Sequence, residues 1–377
     1  MLLLFENLYD ALNNHENAIN IFIDFRKAFD TVNHMILLNK LDSHGIRGNT
    51  FKLLTSYLKN RKQTVRINSA YSSSRLINIG VPQGSILAPF LFLIYINDLP
   101  LACPELSTIL FADDTTFCIT GRNYTQLINV ANIELQNFHK WTLANRLTIN
   151  HDKSLILPVS NNNVDLTSTN LLLCNQQLQL STHPKFLGVT LDANLNCGIH
   201  IKNICSKISK SIGIIFKLQS YLPVKSLINL YYTLVYPHLT YCTTIWGNTT
   251  TNHLNPLVTL QKRAIRIINK KPFLYHTNSL FFNNQILKIQ DVYKFKVAVR
   301  LYKQNNFAPY QRDHPYHTRF RNNLRPDFQR LSITQRSIKF AGPSIFNEIP
   351  EYIKSSRSLP SFKKSLKKFY IDRYNQP

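Results

Sequence analysis

The chain has 377 residues, 44% of them hydrophobic, which is enough for two or three domains with a sizeable core and too apolar for a disordered protein. Residues 1–190 hold 15 Lys and Arg against 13 Asp and Glu, whereas residues 191–377 hold 29 against 7, a net charge of +22. A near-neutral half joined to a strongly basic half argues against a domain with no ligand and points to a polyanionic partner, with a generic solvated basic surface as the alternative.

Periodicity gives an α+β pattern in chain order. Residues 2–15 read as a helix and 18–24 as an apolar strand. A turn over Arg26 to Phe29 leads to a helix capped by Asp30 or Thr31 and ending near Gly45. A helix over about 50–59 follows. Then come short strands around Val65 to Ile67 and Leu76 to Ile79, expected to be paired. Ser85 opens an apolar helix that ends at Asn97-Asp98 and reads as buried. A strand, an Asp-Asp turn and a second strand occupy 107–119. Residues 125–147 form a long amphipathic helix, and 148–159 and 185–191 are strand candidates. The Asn-rich 160–163 segment reads as a surface loop. From about 200 the pattern is helical, with Ile201, Ile204, Ile208, Ile212 and Ile215 at helical spacing. Further apolar segments cover Leu227 to Tyr236 and Leu257 to Ile268. Residues 305–330 read as a linker, and Ile345 to Ile349 and Phe362 to Tyr370 as small terminal elements.

The start lacks the basic region of a signal peptide. The apolar run Ile86 to Ile96, interrupted by Pro89, is well below the ~18–20 residues that span a bilayer, so no transmembrane segment is expected. Six cysteines occur without a C-x-x-C pair. That usage fits a reducing compartment and gives no zinc pattern, and Cys118 reads as core.

Three elements could carry chemistry. Asp24 ends the first apolar strand. Asp113-Asp114 sit where two β-prone runs meet, and Gly80-Val81-Pro82-Gln83-Gly84-Ser85 is a fixed turn before a helix. Carboxylates at a strand end and a hairpin tip can share divalent cations, as a nucleotidyl transferase requires. Taken alone, the Asp-Asp pair is also a plain turn and the Gly-Pro segment a plain connector.

The order of further motifs narrows the choice. Asp24-Phe25-Arg26-Lys27-Ala28-Phe29-Asp30, Gly80 to Pro89, Tyr95-Ile96-Asn97-Asp98-Leu99, Phe111-Ala112-Asp113-Asp114, Ala144 to Asn150 with Lys153-Ser154, and Lys185 to Val189 occur in succession. Over residues 5–192 the chain resembles the reverse transcriptase of a non-LTR retrotransposon. The resemblance implies a palm, an antiparallel sheet with covering helices, over 1–192 with partial fingers. It implies a thumb-like helical region over 193–250 and a basic helical tail over 251–377. It implies RNA-directed DNA polymerase activity with two Mg²⁺ ions, an RNA template, a DNA primer, deoxynucleoside triphosphates, no membrane, and an intracellular, nuclear setting. A nucleic-acid-binding remnant without catalysis is the alternative.

By the same resemblance Asp24, Asp113 and Asp114 are metal ligands and catalytic. Lys153 lies by the leaving pyrophosphate, or is a solvated lysine. Phe25, Phe29, Gln83 and Gly84 surround the nucleotide and template base, with Phe29 under the sugar or simply in the core. Phe186 to Val189 support the primer end. Ala88 departs from the family, which has Gly or Ser there. Only 23 residues precede Asp24, and the resemblance leads to the expectation that most of the fingers before that strand are missing. The expectation is an N-terminally truncated chain with little polymerase activity of its own.

Overall fold

The computed structural model describes residues 1–161, 165–304 and 324–375. Most of the expected 305–330 linker and part of the 160–163 loop lie outside them. The chain divides into two compact units, Asn14–Leu187 and Met1–Asn13 with Gly188 onward. The N-terminal helix, Leu2–Asn13, therefore groups with the second unit and not with the strand that follows it.

The first unit is built on a five-stranded sheet: β1 (Asn17–Ile23), β2 (Ser107–Phe111), β3 (Asp114–Gly121), β4 (Leu155–Val159) and β5 (Gln179–Leu180), in the order β5-β4-β1-β3-β2. The ladders β1–β3, β1–β4 and β2–β3 are antiparallel. The edge pair β4–β5 is parallel, so the sheet is mixed where a purely antiparallel one was expected. All seven residues of β1 are buried. Side chains alternate along a strand. Ile19, Ile21, Ile23 and Phe25 join one core with the helices His34–Ser43, Leu87–Ile96 and Tyr124–Ala144. Asn20, Phe22 and then Asp24 take the opposite face. There the Asn20 amide donates to the Leu157 carbonyl at 3.1 Å, and the Phe22 ring lies 5.6 Å from that of Phe186. Each buried isoleucine contributes roughly 1.5–3 kcal/mol.

The helix expected to start at Asp30 or Thr31 is broken in two, Ala28–Thr31 and His34–Ser43. Asn33 caps the second, its side-chain oxygen accepting from the Met35 and Ile36 N–H groups. Thr31 is unavailable because its hydroxyl donates to the carbonyls of Lys27 and Ala28, and the Asp30 carboxylate accepts instead from Gln83 Nε2 at 2.8 Å. The short strands also pair differently from a simple hairpin of Val65–Ile67 with Leu76–Ile79. Arg61–Gln63 pairs with Arg75–Ile77, and Arg66–Ile67 pairs with Ala70–Tyr71 inside it. The helix Leu87–Ile96 buries only one side. Ala88, Leu91, Phe92 and Tyr95 are in the core, whereas Leu87, Phe90 and Leu93 are exposed. The helix begins at Leu87, two residues after the expected Ser85, whose Oγ accepts the Ala88 N–H at 3.0 Å.

Several of the motifs have structural duties. The Tyr95 hydroxyl donates to the Asn145 carbonyl and accepts from the Asn33 N–H. Lys40 Nζ pairs with Asp98 at 2.7 Å over the rings of Tyr95 and Trp141, and Trp141 Nε1 donates to the same carboxylate.

The second unit is helical. Ile201, Ile204, Ile208, Ile212 and Ile215 are buried along Gly198–Leu218, as their spacing predicts. Val224–Leu234 and Thr251–Ile268 pack on it, Asn278–Asn283 and Ile289–Gln304 pack on Thr251–Ile268, and Ile338–Asn347 and Leu359–Asp372 pack on Ile289–Gln304. Buried Gln261 is fully satisfied, donating to Tyr231 Oη and the Leu287 carbonyl and accepting the Ile289 N–H, each at 2.9 Å. Among the described residues no helix is long and apolar enough to cross a membrane.

Local geometry makes two positions sensitive in predictable ways. Gly80 has φ +83°, and an added Cβ would stand 2.7 Å from the Asp30 carbonyl oxygen; Gly84 has φ +81° with nothing within 4 Å. Gly84→Ala should cost only the left-handed strain, roughly 1–2 kcal/mol, and Gly80→Ala about 1–3 kcal/mol more. Urea denaturation of the two variants checks the order. His200, 5% exposed, accepts the Thr190 N–H at Nδ1, and burial lowers its pKa to about 4. The unfolded chain therefore takes up this proton first on acidification. Stability should fall between pH ~6.5 and ~4 by up to about 3 kcal/mol, and His200→Gln should flatten that part of the wild-type profile.

Candidate active site

Asp24 follows β1, and the segment after the long helix holds it from the side. The Phe25–Ile149 bridge and the Arg26 N–H to Thr148 carbonyl bond, 2.8 Å, run this segment alongside the end of β1. Asn150 Nδ2 donates to Asp24 Oδ2 at 2.8 Å, and the Asn150 N–H donates to the Asp24 carbonyl at 2.8 Å. Buried Ser154 closes the frame, its Oγ accepting the Asp24 N–H at 3.3 Å and donating to the Asn150 carbonyl at 2.8 Å. The strand expected over 148–159 is interrupted by a 3₁₀ turn, His151–Lys153, which brings Lys153 Nζ to 4.0 Å from Asp24 Oδ2. Lys153 is itself 71% exposed and Asp24 32%, so this ion pair is screened and worth little.

The second carboxylate element is the β2–β3 hairpin. Phe111 and Asp114 close it, leaving Ala112 and Asp113 as a two-residue loop. Ala112 has φ +50°, a left-handed conformation that costs a non-glycine residue on the order of 1 kcal/mol and is found disproportionately at functional sites. The β1–β3 register pairs Ile23 with Thr115. One step further brings Asp24 level with Asp114, with both side chains on the face away from the helix core. The electrostatics agree. The Asp114 carboxyl is held above its ordinary pKa, first by burial, then by the carboxylates of Asp113 and Asp24.

Asp24 and Asp113 line one cleft of about 720 Å³, together with Phe25, Arg26, Lys27, Thr31, Thr148, Asn150, Asp152 and Lys153. Asp114 is not among its walls. Among the described residues no three His, Cys, Asp or Glu side chains are gathered closely enough to form a metal cage. What the donors offer is nonetheless suited to a hard cation: carboxylate oxygens from two elements, repelling one another across a ladder.

Other expected site residues are placed unequally. The Gly80–Gln83 turn is tied to the segment after Asp24, through Gly80 N–H to Val32 carbonyl at 2.7 Å, Val81 N–H to Phe29 carbonyl at 2.8 Å, and Gln83 to Asp30. Gln83 and Gly84 are exposed. Phe29 is half-buried, stacked on Phe92 with centroids 4.7 Å apart. Phe25 is 4% exposed and packs on Phe138 in the core, while it also lines the cleft beside Asp24. Phe186 is buried against Phe22, on the Asp24 face of the sheet. Sequence reasoning does not single out Asn150 and Ser154, although both lie within the motifs. Their signal is that of two small polar residues flanking Lys153, near in pattern to a strand that ends in an unpartnered aspartate.

Residues 4–191 match the family model described as reverse transcriptase (RNA-dependent DNA polymerase). The chain is similar to the RNA-directed DNA polymerase from mobile element jockey of Drosophila funebris, 29% identical over 75% of this chain and 32% of that protein. It is also similar to the probable RNA-directed DNA polymerase from transposon X-element of Drosophila melanogaster, 28% identical over 70% of this chain and 29% of that protein. The chain thus spans about a third of the length of these relatives. Among solved structures, telomerase from Candida albicans in complex with a fragment of telomeric RNA covers 78% of this chain and 46% of its own, at 11% identity and a TM-score of 0.45. Through residues 4–191, the chain belongs to the reverse transcriptase (RNA-dependent DNA polymerase) family.

Proposed function

We propose that the chain is the polymerase part of a non-LTR retrotransposon protein, adding deoxynucleotides to a primer 3′-end on an RNA template. The observation that carries this is the meeting of Asp24 with the Asp113-Asp114 tip across the β1–β3 ladder, beside a cleft walled by Arg26, Lys27 and Lys153. Asp24, Asp113 and Asp114 would hold two Mg²⁺ ions, with Asp113 the more direct ligand of the tip. Bound there, Mg²⁺ supplies the Lewis acidity that eases loss of the 3′-hydroxyl proton and steadies the leaving pyrophosphate.

The protein's own groups do the positioning. Asn150 fixes the carboxylate plane of Asp24, and Ser154 fixes its main chain. Lys153, near Asp24 and solvated, is free to meet the charge of a pyrophosphate. Phe29, stiffened by Phe92, forms a floor under the sugar, and the exposed Gln83-Gly84 backbone lets a base pair approach closely. In this reading the sheet unit is the palm with partial fingers. The helical residues 193–250 act as thumb, and 251–377 form a basic tail that contacts nucleic acid through phosphates. The setting would be the nucleus, where a primer on genomic DNA is available.

Two measurements test the proposal. Without divalent ions, Asp114→Asn should be more stable than the wild type at pH 7, because it removes one of the repelling charges. Addition of Mg²⁺ should raise the thermal midpoint of the wild type and leave Asp24→Asn and Asp113→Asn nearly unmoved; equal responses would sink the metal site. In primer extension on an RNA template, Asp113→Ala should abolish whatever extension the wild type supports. Asn150→Ala should lower it about 10–100-fold, as expected for a group that orients a ligand.

A further inference from the structure

We propose that the C-terminal ends of the helices Gly198–Leu218 and Thr251–Ile268 form a second nucleic-acid site, sharing no residue with the aspartate cleft. It takes a single-stranded segment, with bases stacked on Phe216 and Phe273 and phosphates paired with Arg263, Arg266, Lys270 and Lys271. The inference deepens the proposed reading of residues 251–377 as a nucleic-acid-contacting tail and does not depend on chemistry at the aspartate cleft.

Its first support is charge. Residues 193–290 contain eleven Lys and Arg and no Asp or Glu. The six residues just named help to line a pocket of about 650 Å³, together with Gln219, Ser220, Ile267 and Pro272. That volume suits a nucleotide-sized group. Among the described residues none of the four cations has a carboxylate within ion-pair distance. Four uncompensated cations around one concavity repel one another, and a bound polyanion relieves that repulsion.

The second support is aromatic. Phe216 is 55% exposed and Phe273 71% exposed at this pocket. The Arg266 guanidinium is held by its Nε–H donating to the Tyr275 carbonyl at 2.8 Å, and lies 5.8 Å from the Phe273 ring centroid. Lys271 Nζ lies 5.2 Å from the Tyr275 ring. Basic groups interleaved with open ring faces are what a flexible strand of bases and phosphates requires.

A simpler account is that lysines after a helix C-terminus offset its dipole. It explains part of the pattern only. Lys270, at φ +53°, donates its N–H to the Ile267 carbonyl, and the Lys271 N–H donates to the Arg266 carbonyl. The terminal carbonyls are thus met by main chain, and the ammonium groups are left for another anion. Nor does the dipole explain Arg263, a turn earlier, or the exposed phenylalanines. A duplex hides its base faces, so stackable rings favour a single strand.

Fluorescence anisotropy tests this on the full 377-residue chain, with a labelled single strand of about twelve nucleotides as RNA, the same sequence as DNA, and the corresponding duplex. Single strands should bind more tightly than duplex, and whichever of RNA or DNA binds better identifies the strand. Phe273→Ala should weaken single-strand binding roughly tenfold with little change in salt dependence, and Phe273→Trp should restore it. Arg263→Ala combined with Lys271→Ala should reduce the salt slope by about 1.4, or ~0.7 for each phosphate that is no longer neutralised. Arg122→Ala with Lys140→Ala, both exposed and outside the aspartate cleft and the basic tail, serves as the control. A loss in the control equal to that of the basic pair, no effect of Phe273→Ala, or a preference for duplex would overturn the proposal. Primer extension reads the aspartate cleft and strand binding reads Phe273 and the basic pair, which share no residue, so failure of the polymerase reading would leave this result standing.

Discussion

The pairing of β1 with β3 is the constraint on which the site depends. Seven consecutive residues of β1 are sealed between neighbouring strands and two apolar faces. A slip of one residue would drive Ile19, Ile21 and Ile23 out of the helix core and turn Asn20 and Phe22 into it. That cost fixes the register, and the register sets Asp24 level with Asp114. Directly opposed like charges are unfavourable, and after burial, the larger cause, the Asp113 and Asp24 carboxylates add to the raised proton affinity of Asp114. The hydrophobic term, several kcal/mol from the isoleucines alone, is large enough to hold the carboxylates together against that repulsion. The core thus holds an unfavourable charge arrangement in place.

A second set of ties brings the remaining site segments to the same place. The Gly80 turn is docked on the chain after Asp24 by two backbone hydrogen bonds and the Gln83–Asp30 bond, and glycine is required because the Asp30 carbonyl occupies the space of a side chain. Behind it, Tyr95, Asn145, Asn33, Lys40, Asp98 and Trp141 form a polar cluster that locks the helices carrying these segments. Motifs that read as one functional series therefore divide into residues that face the cleft and residues that hold the frame. Asp98 belongs to the frame, since its carboxylate is taken by Lys40 and Trp141 and not by the cleft.

The second unit follows a different physical logic. Its helices bury regular apolar stripes, and its polar interior is satisfied by single residues such as Gln261. Its sequence is without acids from 193 to 290. Packing explains the stripes but not the excess charge, which burdens the fold through self-repulsion unless a polyanion is bound.

The sequence by itself determined the element types, the buried stripe of β1, the isoleucine face of Gly198–Leu218, the hairpin with aspartates at its tip, and the order of motifs that marks the family. These are local, because alternation and helical spacing are written in consecutive residues. Tertiary structure decided what depends on partners distant in sequence. Asn33 became the cap because Asp30 was taken by Gln83, fifty-three residues away. Phe25 went to the core because Phe138 stands beneath it. Asn150 and Ser154 became the keepers of Asp24 because a 3₁₀ turn folds them against the end of β1. The pocket between two helix ends came into being only when those helices packed, since no single segment carries both its rings and its cations at helical spacing.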